Sequence, residues 1–490
     1  MSCASRYALV FLAISLYCLL VLPRMLSYGM FMDGVVYASI ARNMAEHYGS
    51  FWQPYYTATA YPIFYEHPPL GFWLQSWAYR LCGDSTYVEA FWGFGVGLLT
   101  LWGLAGIWRC LAPQGYALAG TWFPLVLFIV MPMTSWAFAN NMLENTMLLF
   151  IVFSVLLCIL SLKNPNILLS FFYAIFSGFS LFCAMLVKGP VAIFPLIVPF
   201  ISMINTPRKI MKVLTVSFVL VTALIFFFGL LCFVNADAVH FFKRYVSQQV
   251  LASVTGAREI STSRFAILTA VSRESLVPLL VGGVLTAAIY RLRKTTIASV
   301  HYPLFLYYLC IALAGSLPLL ISVKQRRWYA LPSLPFYALA IGVVFNDIAL
   351  MLGNLVNKNK IIAKYVLVFA VTVLFSSVLL MFLEKHALRR DKDFHAAFSE
   401  QPITIEERKI ISTYPTSLAT QWSLVANMQR KFKASLSDNF GHEYLLTTTE
   451  YADSAYILSG YTRIHPGHIK KYVLFKRDGS YQCPNPNAGW

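Results

Sequence analysis

DGVVYASIARNMAEHYGSFWQPYYTATAYPIFYEHPPLG, residues 33–71, decides how the rest of the chain is read. It lies between strongly apolar segments, so it has to leave the bilayer. It is nevertheless not composed like a wet loop. Asp33, Arg42, Glu46, Glu66 and His67 are set among many aromatic rings and prolines, and rings in that number call for burial. The stretch reads as a folded cap at the membrane surface, presenting carboxylates to a site at the bilayer edge.

The composition around it agrees. Of 490 residues, 58% are hydrophobic and 12% charged, with mean hydropathy +0.63; a soluble domain carries about 25% charged residues. The chain is therefore expected to be polytopic in a membrane. The net charge of +17 is scattered between apolar spans, which fits cytoplasmic loops and anionic lipid headgroups rather than nucleic acid. Cys18, Cys158, Cys183, Cys232 and Cys310 lie inside apolar runs without metal spacing and read as packing. Cys82 and Cys483 would share one compartment, as a disulfide or as lone thiols.

Apolar segments near 7–28, 88–108, 115–134, 143–162, 167–187, 190–205, 211–234, 271–290, 302–322, 328–351 and 361–383 give about eleven spans by the length rule. The 190–205 segment is short enough to be half-buried. The connections holding Lys163, Arg208, Lys209, Lys212, Arg291, Arg293, Lys294, Lys358, Lys360 and Lys364 contain no acid. They mark one face as cytoplasmic. The opposite face carries Asp33, Glu66, His67, Glu144, Lys188, Arg258, Glu259, Lys324, Arg326 and Arg327. Cations there run against the positive-inside preference, and an anionic ligand would explain them. Two outer loops are expected, 29–87 and 235–270. The second begins with a surface helix on the spacing Val239, Phe242, Val246. Beyond residue 383 the membrane composition ends. Turn signals and β-prone runs at Ala455–Leu458 and Tyr472–Phe475 predict a small α/β or α+β domain over 384–490.

Each polar cluster has a bland reading beside its chemical one. Asp33 is either a helix N-cap before Val36, Ile40 and Met44 or a general base. Glu66-His67-Pro68-Pro69 is either a solvated turn or an aimed carboxylate–imidazole pair, able to meet a metal, an acceptor or a phosphate. Glu144, beside Asn140, Asn141 and Asn145, is either a helix-capping acid or part of a polar pocket. Lys188-Gly189-Pro190 is either a snorkelling lysine or a phosphate contact. Lys324-Gln325-Arg326-Arg327-Trp328-Tyr329 carries the strongest anion-site signal. There is no Walker or dinucleotide motif in a strand–helix context, which disfavours an ATP-driven pump, and no Ser-His-Asp arrangement can be argued from spacing.

Taken together, Asp33, Tyr37-Ala38, Ile40, Arg42, Met44, Gly49, Trp52 and Pro54, followed by Phe64-Tyr65-Glu66-His67-Pro68-Pro69-Leu70-Gly71, resemble the first outer loop of the GT-C glycosyltransferases. Within them the pattern is most similar to the clan of the lipid A aminoarabinose transferases and the protein O-mannosyltransferases. The resemblance implies a mainly α, GT-C-like bundle of about 11–13 spans over residues 1–383 with an extracytoplasmic domain over 384–490. It implies transfer of a sugar from a polyprenyl-phosphate donor to a lipid, glycan or protein acceptor, with inversion, on the outer face. The low-acid inner loops and the outer tail fit a bacterial inner membrane with that face toward the periplasm; the alternative is an endoplasmic reticulum membrane with that face toward the lumen. Carried over, Asp33, Glu66 and Glu144 are the catalytic residues. Tyr37, Arg42, His67, Lys188, Lys324, Arg326, Arg327 and Tyr329 bind substrate, and Glu66 and His67 are candidate ligands of a divalent metal. His67 stands where the aminoarabinose enzymes have a lysine, and only His240 offers a counterpart of their metal-binding histidine. The rival readings are a transporter or flippase of a lipid-linked sugar, which predicts charges at mid-membrane, and a non-catalytic assembly subunit.

Overall fold

The computed structural model describes residues 3–112, 120–204, 209–255, 263, 265–293, 301–398, 405–453, 460–464 and 471–477. Arg208, Arg258, Glu259, Lys294, Cys483 and the Ala455–Leu458 run fall outside them. The chain packs into two units. One comprises Met1–Met25, Tyr65–Gly71 and Ala90–Leu383, the other Leu26–Phe64, Phe72–Glu89 and Glu384–Trp490.

The first unit is helical because a bilayer offers the backbone no partner but itself. Among the described residues eight helices are long and apolar enough to span: Tyr7–Arg24, Thr86–Leu111, Leu143–Lys163, Ile167–Lys188, Ile210–Val234, Ala266–Arg291, Tyr302–Ile321 and Lys360–Leu383. Two further expected spans are broken. Trp122–Ile129 turns by 72° into Pro132–Ala139, and Arg327–Val344 turns by 77° into Asn346–Lys358. The first break falls where Pro132 has no N–H to continue the helix. The next N–H, of Met133, donates to Glu274 Oε2 at 2.8 Å, so an acid inside the Ala266–Arg293 helix caps the restarted one. The second break falls at Phe345, whose ring lies over Gly282: a Cβ there would meet it at 2.3 Å. The 190–205 segment does not form one helix. Pro190, Pro195 and Pro199 divide Pro190–Ile204 into 3-10 and α turns.

Leu143–Lys163 and Ile167–Lys188 form the hairpin that positions the site. Asn166 caps the second helix, its side chain accepting from Leu168 N and Leu169 N at 2.9 and 3.2 Å. Serines line the seam: Ser154 meets Ser177 and Ser161 meets Ser170, both at 3.1 Å. Small hydroxyls allow close approach in a medium without hydrophobic drive and satisfy one another. Ile210–Val234 closes on the same helix at Gly178, where a Cβ would come within 2.6 Å of the Leu220 carbonyl oxygen.

In the second unit, strands β1 (Ile410–Tyr414), β2 (Ser435–Ser437), β3 (Tyr444–Thr448), β4 (Tyr461–Arg463) and β5 (Tyr472–Arg477) form a sheet of order β2-β1-β3-β5-β4. β1 pairs parallel with β2 and β3, and β5 antiparallel with β3 and β4. Helix Trp422–Phe432 supplies the crossover between β1 and β2. Helix Met32–Ala45 packs on it, and the two are joined by a charge cluster. Arg430 grips Glu89 with Nε at 3.0 Å and Nη2 at 3.2 Å, and reaches Asp84 with Nη1 at 2.7 Å. Tyr79 donates to Glu89 at 2.6 Å. Arg42 donates to the Arg430 and Gln429 carbonyls at 3.2 and 3.0 Å and lies 3.5 Å from Asp84. Burial opposes the charge on Arg430, but the combined pull of Glu89, Tyr79 and Asp84 raises its pKa above the usual value.

His395 stacks on Tyr28 at 5.0 Å, with His386 on the same tyrosine at 5.1 Å. Burial pushes the His395 imidazole down to about 4, aided by Lys431 and opposed by Asp391. The unfolded imidazole takes its proton near pH 6.5 and the folded one resists it, so stability falls as pH drops from about 6.5 through about 4. Lowering pH from 7.5 to 5 should cost about 2 kcal/mol through this group. His395→Phe keeps the stack and should blunt the acid sensitivity of thermal unfolding. Identical pH dependence of melting in both proteins would remove His395 from this account.

Candidate active site

Tyr65–Gly71, the site hairpin, the segment after Val234 and the turn before Arg327 converge in the first unit on a cavity of about 340 Å³. Its polar wall holds Glu66, His67, Glu144, Lys188, Lys324 and Tyr329; its apolar wall holds Met147, Val191, Val250, Pro318, Leu319 and Ile321. Six residues singled out in the sequence thus share one hollow, although they span 264 positions from Glu66 to Tyr329.

The centre is an ion pair. Lys188 Nζ lies 2.6 Å from Glu144 Oε1, with Lys188 8% and Glu144 1% exposed. Glu144 belongs to the first turn of its helix but is not the cap, since Met142 holds that position. Its carboxylate faces the lysine that ends the neighbouring helix, and Glu144 Oε2 has no hydrogen-bond partner among the described residues. A buried, half-satisfied carboxylate beside a cavity is costly and invites a donor from a ligand. Tyr329 places its ring 5.6 Å from the Lys188 ammonium, a cation–π arrangement that keeps the charge in place. Tyr245 donates to the Lys188 carbonyl oxygen at 3.1 Å. Gly189 makes this contact geometrically accessible. Its φ is +87°, and a Cβ would lie 2.1 Å from the tyrosine hydroxyl.

Tyr245, Gln249 and Ser253 line the cavity and were not among the expected site residues. Helix Ala236–Tyr245 forms where a surface helix was expected, but its buried face is Ala238, Phe241 and Tyr245. Val239 and Val246 are exposed on the other face, so the expected apolar spacing does not carry the packing of this helix within the protein. Phe241 meets Tyr65 at 5.4 Å and Tyr245 at 6.4 Å, and that packing sets the phase. The i, i+4, i+8 series Tyr245, Gln249, Ser253 was the available signal.

Other expected residues lie elsewhere. Arg326 and Arg327 are exposed and do not line this cavity; Arg327 interacts electrostatically with Glu274. Asp33, Tyr37 and Arg42 belong to the second unit. Asp33 occupies the first turn of Met32–Ala45, and the N-cap is Phe31, not Asp33. Tyr37 is buried against Phe72 at 5.7 Å. Arg42, expected to bind substrate, directs its guanidinium to Asn43, Gln429, Arg430 and Asp84, the contacts of a structural clamp. The expected metal finds no ligand set. Among the described residues no three His, Cys, Asp or Glu side chains converge for one, and the Lys188 ammonium already sits on Glu144, where it would oppose a second cation. Glu66 and His67 share the cavity without completing a metal site, and His240 is exposed and meets Tyr65 at 6.4 Å.

No family model matches the sequence, and no curated protein is significantly similar to it. Solved structures are similar in fold. ArnT from Cupriavidus metallidurans bound to undecaprenyl phosphate superposes with TM-score 0.63 at 17% identity, over 98% of this chain and 99% of that one. Its apo form gives 0.62 at 16% identity, over 99% and 100%. The apo oligosaccharyltransferase of Archaeoglobus fulgidus gives 0.52 at 12% identity, over 91% of this chain and 70% of that one. The chain therefore shares the fold of ArnT along its whole length, as the first-loop motifs led one to expect.

Proposed function

We propose that this protein is an integral-membrane glycosyltransferase that takes a sugar from a polyprenyl-phosphate donor and passes it, with inversion, to a lipid, glycan or protein acceptor. The cavity would face the non-cytoplasmic side, the periplasm in a bacterial inner membrane. The observation that carries this reading is the buried Lys188–Glu144 pair in a hollow with one apolar wall. It occurs in the fold of a protein whose structure holds undecaprenyl phosphate. The apolar wall suits a prenyl chain. Lys188 and Lys324 suit the phosphate, whose negative charge grows as the anomeric bond breaks and is stabilised by cations fixed beforehand. Glu144 holds Lys188 in place, and its second oxygen accepts from a sugar hydroxyl. Asp33 is the base that removes the acceptor's proton.

Purified protein incubated with a panel of labelled polyprenyl-phosphate sugars and membrane extract should yield labelled acceptor. Label crossing vesicles without product would instead identify a transporter, and neither outcome would leave an assembly role. Lys188→Met strands Glu144 and removes a charge-assisted contact worth about 1.5–3 kcal/mol, so donor binding should weaken roughly 10- to 100-fold. In Lys188→Met/Glu144→Gln the stranded charge is gone, so thermal stability should recover while donor binding does not. Recovery of both would make the pair a structural device only.

A further inference from the structure

The hairpin that carries Glu144 and Lys188 at one end carries a second cavity at the other. Leu143–Lys163 has 21 residues, roughly 30 Å at 1.5 Å each, the thickness of a bilayer core. Its last residue therefore lies at the opposite membrane face from Glu144. There Lys163, Lys209, Lys212, His301 and Tyr307 line a hollow of about 280 Å³ with no acid among the described residues of its wall. The three lysines come from two helix ends and a connection, and two of them are anchored. Lys212 donates to Ser170 Oγ at 2.6 Å and to the Asn164 carbonyl oxygen at 3.2 Å. Lys163 donates to the Cys110 carbonyl oxygen. Lysines that merely snorkel spread into water; these converge on a concavity, where their mutual repulsion is relieved by an anion. Tyr307 adds a second sign. It is 1% exposed, and its hydroxyl has no partner among the described residues.

We infer that this hollow is an anion site, separate from the proposed donor cavity, that takes a phosphate mono- or diester. Phosphate oxygens accept from the lysines and from the Tyr307 hydroxyl. The remaining wall, Leu111, Ile159, Leu162, Val213 and Leu304, accommodates the apolar part of a phosphodiester.

Two sources share this chemistry, a lipid headgroup of the adjacent leaflet and soluble phosphate, and the test separates them. The full-length protein is placed in phosphatidylglycerol or phosphatidylcholine nanodiscs, and retained lipid is measured after exchange into neutral detergent. In parallel, inorganic phosphate is titrated against melting temperature. Wild type should retain phosphatidylglycerol, and Lys163→Gln/Lys209→Gln/Lys212→Gln should lose it at least about tenfold. The control Lys358→Gln/Lys360→Gln/Lys364→Gln, from another basic connection, should retain it. The Lys→Arg triple at the same three cavity positions should hold the lipid, separating loss of charge from loss of folding, and Tyr307→Phe should weaken retention. Stabilisation by inorganic phosphate with the same variant dependence would assign the site to the soluble ion. Equal loss in both Gln triples, or no response to either ligand, overturns the proposal.

Discussion

Asp33→Asn should reduce sugar transfer by about 10²–10⁴-fold while leaving donor retention little changed. The amide has the size of the carboxylate but cannot take a proton at neutral pH, so the substitution isolates the base from the binding surface. Asp33 lies in the first turn of Met32–Ala45 and is not its cap. An anion there interacts favourably with the helix N-terminus, a contribution of about 0.3–1 kcal/mol. The two readouts therefore diverge widely. Transfer is followed with labelled donor at fixed protein concentration, and retention with donor lipid co-purifying from both proteins. Wild-type turnover by the variant would end the assignment of Asp33 as base. Loss of retention together with turnover would make Asp33 a binding residue.

Arg430→Met should destabilise the second unit by about 3–5 kcal/mol, the usual cost of stranding one side of a buried ion pair. Arg430 is 7% exposed and holds Glu89 and Asp84 at once. Removing it leaves the Glu89 carboxylate buried with the Tyr79 hydroxyl as its remaining hydrogen-bond partner in this cluster. The loss should appear as faster proteolysis of residues 384–477 and a lower melting temperature in detergent. The double variant Arg430→Met/Glu89→Gln should recover part of it, because the stranded charge is removed. Wild-type protease resistance in the single variant would show that the cluster contributes little.

Much of the bundle was readable because spans are written in local composition. Eight of the expected segments appear as continuous helices. Bends were harder to read, since their causes are not local. The turn after Ile129 is consolidated by Glu274, 141 positions beyond the N–H it caps. The cavity was legible where residue type broke a rule, as Lys188 and Lys324 did by placing cations on the face where acids and bases mix. It was illegible where the choice lay between two faces of one helix. Val239 and Val246 are apolar but exposed, whereas Tyr245 on the other face closes over Gly189, where a Cβ would lie 2.1 Å from its hydroxyl. Arg42 shows the same limit. The first-loop resemblance gave it to the substrate pocket, whereas one of its acceptors is the carbonyl of Arg430, 388 residues away, which no local pattern shows.

That separation has a consequence for biogenesis. The second unit is assembled from three pieces of chain, and Glu89 and Arg430 are 341 residues apart. At about 5–20 residues per second, a ribosome reaches Arg430 roughly 17–70 s after Glu89. Through that interval Asp84 and Glu89 have been synthesised without the arginine that neutralises them, and Arg42 without the carbonyls that accept from it. The nascent protein is thus exposed to quality-control proteases until Arg430 has been made, and a premature stop anywhere before Trp422 leaves the early segment permanently unpaired.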